Sequence, residues 1–392
     1  MKVLIVPMLA IAQTEGPTSR AKSLAKAFVK EGIQVALCSG DDKSISSLAE
    51  VAVYPIAKPV PLGLPPWIGL RTYPLADRLG IIGKKTVHSF EEVLYLTGAG
   101  NYHYLASSIA QLRKVIQSFQ PDVLYSEFNL SAMIAAKAEG LAVVASYSYP
   151  TQPDFAASPK FAGGVNRILQ ELGQAPVKSS LELFQRADFK VVPSSFALEP
   201  ICDENCRFVG PFGALPERAD PFHRDCFLVY LGTGTLVERK IKKVISEVFR
   251  ELPYEVYVAG MSKEQDFGRL HFGRWFDFRQ LLPRAAAFLH HGGQNSMMDS
   301  FLYGVPQMIY PGKVFERNYN AQSVQKSGAG ILLGSSEFQA ECIKNAFDRL
   351  LESSDFRENA LRTGEELRTM GGATRVASLL RSMHDESYRG ST

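Results

Sequence analysis

A chain of 392 residues is long enough for two domains of ordinary size, each with a core of its own. Its 46% hydrophobic and 21% charged residues are those of a soluble globular protein, and a net charge of +3 is too small to argue for nucleic acid. Met1 to Met8 is too short for a signal peptide, no apolar run is long enough to span a bilayer, and five cysteines, an odd number, do not make a disulfide framework, so the cytoplasm is the expected compartment.

Val3 to Met8 reads as a buried strand, Ser19 to Gly32 as an amphipathic helix with Leu24, Ala27 and Phe28 inward, and Ile33 to Cys38 as a second strand. That order opens a doubly wound α/β domain, with Val51 to Ile56 as a third strand. Pro59 to Leu79 is rich in proline and glycine, carries Trp67, Ile68, Leu70 and Tyr73, and is expected not to form a regular helix. It reads either as an acceptor-binding loop touching a hydrophobic substrate or a membrane surface, or as a packed loop without a ligand. Tyr104 to Phe119 is a helix, Pro121 to Glu127 a strand with Glu127 at the tip where open α/β sheets place ligands, Ser131 to Gly140 a helix and Leu141 to Ser146 a strand. Leu181 to Ala187 and Phe189 to Pro193 follow as a helix and the last strand of the first domain.

Arg207 to Arg224 has the composition of a linker. The architecture then repeats: Phe227 to Leu231 a strand, Gly232 to Thr235 a turn, Val237 to Leu252 a helix, Glu255 to Ala259 a strand. Helices are expected from about Asn318, over Gln339 to Leu351 and over Asp355 to His384, with a strand at Ile331 to Leu333. Between these lies the most informative stretch, His290 to Ala321. Ala286 to His290 is a short buried strand, Gly292 and Gly293 a tight turn, and Asn295 the beginning of a helix. Such a turn leaves backbone N–H groups at the positive end of a helix, a place suited to phosphate. His291 and Ser296 can add donors, and Asp299, about one turn after Ser296, can accept from ribose hydroxyls.

This segment resembles the donor-binding signature of the inverting, nucleotide-sugar-dependent glycosyltransferases of GT-B fold, the UDP-glycosyltransferase and macrolide glycosyltransferase type. The matching positions are His291-Gly292-Gly293, Asn295-Ser296, Asp299, Gly304-Val305-Pro306, Pro311, Glu316-Arg317 and Asn320-Ala321, preceded by Leu281-Leu282-Pro283-Arg284. The resemblance implies two Rossmann-like domains facing across a cleft: an acceptor domain at 1–206, a linker at 207–224, a nucleotide-sugar domain at 225–372 and a C-terminal helix at 373–392 crossing back to the first domain. It implies a UDP-sugar or dTDP-sugar as co-substrate, a hydrophobic small-molecule or lipid acceptor, no obligatory metal and inversion at the anomeric carbon. By the same resemblance Thr233 and Thr235 meet the phosphates, Trp275, Phe276 and Phe278 lie where the base is held, and Glu316 and Arg317 hold the sugar.

Two positions depart from the family. Arg317 replaces an amide, which fits either a different sugar, one with a carboxylate, or an outward-pointing surface arginine. The loop Gly16-Pro17-Thr18-Ser19-Arg20 falls on the family's Gly-His-any-any-Arg, placing Pro17 where a histidine base is usual. Glu127 falls on the acid that orients that histidine. Three readings follow: Glu127 or Glu15 is the base, raised in pKa by an apolar pocket; His103 reaches the site from another loop; or the protein is a catalytically impaired helper of another transferase. A nucleotide-sugar epimerase is a further alternative on the same fold. Cys202, Cys206, His223 and Cys226 have types and spacing that could close a zinc site, against the reading of ordinary buried thiols. Sugar, acceptor and oligomeric state are not readable from these residues.

Overall fold

The structure, a computed structural model, describes residues 1–9, 15–40, 48, 50–153, 159–213, 224–232 and 235–390. It divides into two compact units, the first comprising Met1–Tyr73, Ser89–Ala214 and Met370–Thr392, the second Pro74–His88 and Leu215–Thr369.

The first unit is built on a seven-stranded sheet: β1 (Lys2–Pro7), β2 (Gln34–Ser39), β3 (Val51–Pro55), β4 (Val123–Glu127), β5 (Ala142–Ser146), β6 (Phe189–Val192) and β7 (Cys206–Phe208). Its order is β3-β2-β1-β4-β5-β6-β7 and every pairing is parallel. Parallel strands are covered on both faces, so β1 is apolar and buried after its first residue and β4 is buried throughout, its polar end Ser126-Glu127 included. The strand order reverses between β1 and β4, which opens a crevice at their C-terminal ends. β7 extends the sheet one strand past Phe189 to Pro193, the strand that reads as last from sequence.

The helix Glu15–Lys30 lies over this sheet and buries Ala21, Leu24, Ala25 and Phe28. On it packs the C-terminal helix Gly372–Gly390, through Ala373, Val376, Ala377 and Leu380. Burying Val376 and Leu380 contributes on the order of 4 kcal/mol before the entropy of ordering them. Gly371 and Gly372, both at positive φ, make the sharp entry to that helix, and the Gly372 N–H donates to the Val209 carbonyl at 2.7 Å.

One expectation fails here. The proline-rich stretch contains a regular helix, Pro66–Arg78. Pro65 and Pro66 start it rather than prevent it, since first-turn N–H groups have no intrahelical partner to lose, while Pro74 lies in its interior without ending it. The Ile68 and Gly69 N–H groups donate to the Pro65 carbonyl at 2.9 and 3.0 Å. Trp67 remains 68% exposed.

The second unit has its own seven-stranded sheet: β8 (Cys226–Tyr230), β9 (Glu255–Ala259), β10 (Gln265–Phe267), β11 (Leu270–Phe272), β12 (Ala285–His290), β13 (Gln307–Ile309) and β14 (Gly330–Leu332), in the order β10-β11-β9-β8-β12-β13-β14. Only β10 runs antiparallel, as the hairpin partner of β11. Setting it aside, this is the strand order of the first unit again, reversing between β8 and β12. Its core joins Phe227, Phe249 and Phe347, with the first two rings stacked 4.3 Å apart. The stretch Pro74–His88 belongs to this unit, where Val87 forms a parallel bridge with Val314.

Candidate functional site

In the second unit the site grows from β12. All six of its residues are buried, and its end, His290, pairs with Tyr230 of β8 and Ile309 of β13. The chain then turns through Gly292 into the helix Gln294–Leu302, with Gly293 as N-cap. Both glycines are required. Gly292 has φ +84, and a Cβ there would lie 2.8 Å from the Arg317 carbonyl oxygen; on Gly293 it would lie 2.6 Å from Nε2 of His291. Gly293 has no side chain to cap the helix, whose start lies at the place the sequence assigns to phosphate.

Buried polar groups fix the turn. His290 is fully buried; its Nδ1 accepts from the Gly292 N–H at 3.1 Å, and its Nε2–H donates to Oε1 of Gln307 at 2.9 Å. Burial lowers its pKa from 6.5 to about 4, so it is the neutral tautomer these bonds require. Asn320 donates from Nδ2 to the Gly292 carbonyl at 2.8 Å. Neither role is announced by the sequence, although the doubled histidine before Gly-Gly and the Asn-Ala pair were the signals.

His291 donates from Nδ1 to the Tyr230 carbonyl at 3.3 Å, and its ring meets that of Tyr230 edge to face. Burial, then the nearby charge of Arg317, then His290 hold its pKa well below 6.5. Arg317 does not point outward to solvent: its guanidinium donates to Oγ1 of Thr235 at 2.7 Å, and Thr235 in turn donates to the Leu231 carbonyl. Thr235 is buried, and Gly232, before it, closes on the His291 ring. Asp299 follows Ser296 by one turn; burial raises its pKa from 3.8 to about 6, against the opposing charge of Arg279. Glu316 sits in the first turn of the helix Phe315–Lys326, beside Arg317. A cavity of about 470 Å³ adjoins that loop, lined in part by His88, Pro311, Lys313 and Asn318.

The aromatic trio separates. Phe278 is packed against Tyr230 and Phe288, Phe276 meets Tyr257 edge on, and Trp275 is 67% exposed. Of the three, Trp275 presents the open ring face that stacking needs.

In the first unit, Glu127 ends β4 opposite Pro7 of β1 and is 0% exposed. Arg20 donates from Nε to its Oε1 at 2.6 Å, Ser146 donates to its Oε2, and Tyr125 donates to Ser146 at 2.7 Å. The Arg20 guanidinium also lies 5.6 Å from the Phe128 ring centre, and Phe128 holds φ +57, an unusual conformation outside glycine. Arg20, one turn after Pro17, takes the acid's partnership that the resemblance gives to a histidine. His103 starts the helix Tyr102–Phe119 with an exposed ring against Tyr102, and no described contact joins it to Glu127. The side chain of Glu15 and all of Thr233 and His223 lie outside the described residues.

Cys206 and Cys226 are buried thiols in different units, each pushed up to about 12 chiefly by burial, and Cys202 is exposed. Among the described residues no group of three or more His, Cys, Asp or Glu is placed to hold a metal ion.

Known proteins share this chain's sequence pattern and fold. Residues 269–383 match the family model of the erythromycin biosynthesis protein CIII-like C-terminal domain. The chain is 23% identical over 310 residues to the NDP-glycosyltransferase YjiC of Bacillus subtilis (strain 168), covering 72% of this chain and 77% of that one. In fold it is similar to the glycotransferase of kitacinnamycin, with a TM-score of 0.72 at 17% identity over 97% of this chain and 98% of that one. It is similar also to the spinosyn rhamnosyltransferase SpnG complexed with thymidine diphosphate, with a TM-score of 0.68 at 16% identity over 98% and 100% of the two chains.

Proposed function

We propose that this chain, which belongs to the UDP-glycosyltransferase-like family of GT-B glycosyltransferases, moves a hexose from a UDP-sugar, or else a dTDP-sugar, to a hydrophobic small-molecule or lipid acceptor with inversion. The observation that carries this reading is the turn at Gly292 and Gly293, held open by His290 and Asn320 and feeding a helix start beside His291. A diphosphate there accepts from the helix N–H groups and meets a concentrated positive potential. Ser296 adds a hydroxyl, Asp299 receives the ribose, Glu316 the sugar and Trp275 the base. The complex of SpnG with thymidine diphosphate supports a nucleoside diphosphate as the donor's leaving group. Residues 1–206, apart from Pro74–His88, which fall in the second unit, are assigned to the acceptor, 225–372 to the donor, 207–224, after the end of β7 at Phe208, to the linker and 373–392 to the C-terminal helix.

In the reaction the acceptor oxygen forms a bond to the anomeric carbon from the face opposite the diphosphate. The C–O bond to phosphate breaks and its electron pair stays on the β-phosphate oxygen. The acceptor proton goes to a base, which we assign to Glu15 ahead of His103. Glu127 already has both oxygens engaged, by Arg20 and Ser146, and acts as the anchor of Arg20.

A screen of uridine and thymidine diphosphate sugars by thermal shift tests the donor: the correct one raises the melting temperature. With the donor in hand, Glu15→Gln is expected to lower kcat by about 100-fold or more with donor affinity unchanged, and full activity would exclude Glu15. A second reading rests on Pro17: a catalytically impaired helper would bind donor without turnover and purify with an active transferase.

A further inference from the structure

Arg317 stands where the family's resemblance places an amide for the sugar hydroxyls, yet its surroundings are those of a phosphate site. Its backbone packs on the glycine turn: a Cβ on Gly292 would approach the Arg317 carbonyl oxygen to 2.8 Å and its Cα to 3.3 Å. Its side chain then spans to the turn after β8 and donates to Thr235 at 2.7 Å. Gly232, ahead of Thr235, would bring a Cβ within 3.3 Å of the His291 ring, so the two turns and the guanidinium converge on one spot. That spot lies at the ends of β8 and β12, where the strand order reverses. Burial first, and then the charge of Arg317, disfavours protonation of the His291 ring.

We propose that Arg317 is a catalytic residue for the leaving group: its guanidinium donates to the β-phosphate and takes up the negative charge that grows there as the glycosidic C–O bond breaks. This rests on the donor-site reading above and deepens it. An amide offers one neutral donor pair, whereas a guanidinium carries a full charge and a planar fork suited to phosphate oxygens. The charge on the β-phosphate is larger in the transition state than in the bound donor, so the interaction strengthens as the bond breaks and raises kcat more than it lowers KM. Thr235 positions the fork by accepting one of its N–H groups. Arg317 itself gives up no proton: the acceptor proton goes to the base, and the electron pair of the broken bond remains on the phosphate oxygen, neutralised by the resident cation.

The test compares UDP with UMP, which differ by the β-phosphate alone. In the native chain, calorimetry is expected to show UDP binding at least 10-fold tighter than UMP. Arg317→Gln, which restores the family's residue type, is expected to erase most of that ratio, leave UMP affinity within about twofold and lower kcat by about 100-fold with little change in acceptor KM. Arg317→Lys keeps the charge without the fork and is expected to fall between them; it also serves should the glutamine variant fail to fold. An unchanged UDP-to-UMP ratio in a folded Arg317→Gln, or a kcat that holds while donor KM rises, overturns the proposal and returns Arg317 to the sugar. A native chain that binds neither nucleotide overturns the donor-site reading itself, and Arg317's role with it.

Discussion

At the C-terminal ends of β1 and β4 the chain places a carboxylate with both oxygens engaged; at the equivalent ends of β8 and β12 it places a glycine turn that leads into a helix. The two sheets share a strand order, and in both the crevice falls where that order reverses. What differs is what fills it. In the first unit Glu127, Arg20, Ser146 and Tyr125 satisfy one another in a buried chain of donors and acceptors. In the second, His290 and Asn320 hold the backbone N–H and carbonyl of Gly292, and Gln307 fixes the His290 ring from behind. Topology thus supplies two crevices; the side chains make one a closed anchor, and the other is the one we propose as the nucleotide receptor.

The contrast breaks most visibly at Glu127. Replacing it by Ala leaves Arg20 partly buried without the Glu127 carboxylate, a loss of about 3–5 kcal/mol by denaturant titration, whereas His291→Ala, which removes one ring and its bond to the Tyr230 carbonyl, is expected to cost about 1–2 kcal/mol while weakening nucleotide binding. Equal losses of stability in the two variants would erase the distinction between anchor and receptor.

A smaller effect separates the histidines from the acid of the second unit by pH. His290, with a pKa lowered to about 4, contributes stability present above 6.5 and lost as pH falls towards 4, worth up to about 3 kcal/mol. His291, lowered in the same direction, adds to that loss. Asp299, raised to about 6, has the opposite sign: its contribution is present below 3.8 and lost as pH rises through 6. Asp299→Asn is therefore expected to gain about 1–2 kcal/mol at pH 8, discounted for the group's partial exposure, to lose that advantage near pH 4, and to bind nucleotide less well. A variant less stable than the native chain at pH 8 would contradict the assignment.

The least effect is expected at Trp275. Its ring is mostly exposed, so Trp275→Ala should leave stability within about 0.5 kcal/mol while reducing UDP affinity several-fold; a large drop in melting temperature would show that it packs in the core instead.

Much of the second unit's site was legible because its residues are contiguous: a strand, Gly-Gly, Ser and Asp at fixed spacing define a turn and one helix face. The partners that hold it were less so. Gln307 and Asn320 reach the turn from other strands and helices, and only folding brings them there. In the first unit, Glu127 at a strand tip was readable, but Arg20 as its partner depends on how Glu15–Lys30 lies over the sheet. The helix Pro66–Arg78 was hidden by a composition rule that counts prolines: Pro65 and Pro66 open the helix, and the interior Pro74, which the rule takes as a break, does not end it. The short helix Phe90–Thr97 carried a readable signal in Ser89, whose side chain accepts from the Glu92 N–H at 3.0 Å.

The most direct measurement is calorimetric titration of UDP into the native chain and into a His291→Ala, Ser296→Ala double variant that remains folded. A diphosphate seated on the glycine turn predicts at least 10-fold weaker binding in the variant, with the loss confined to ligands that carry phosphate. Equal affinities in the two proteins would place the nucleotide elsewhere and contradict the account.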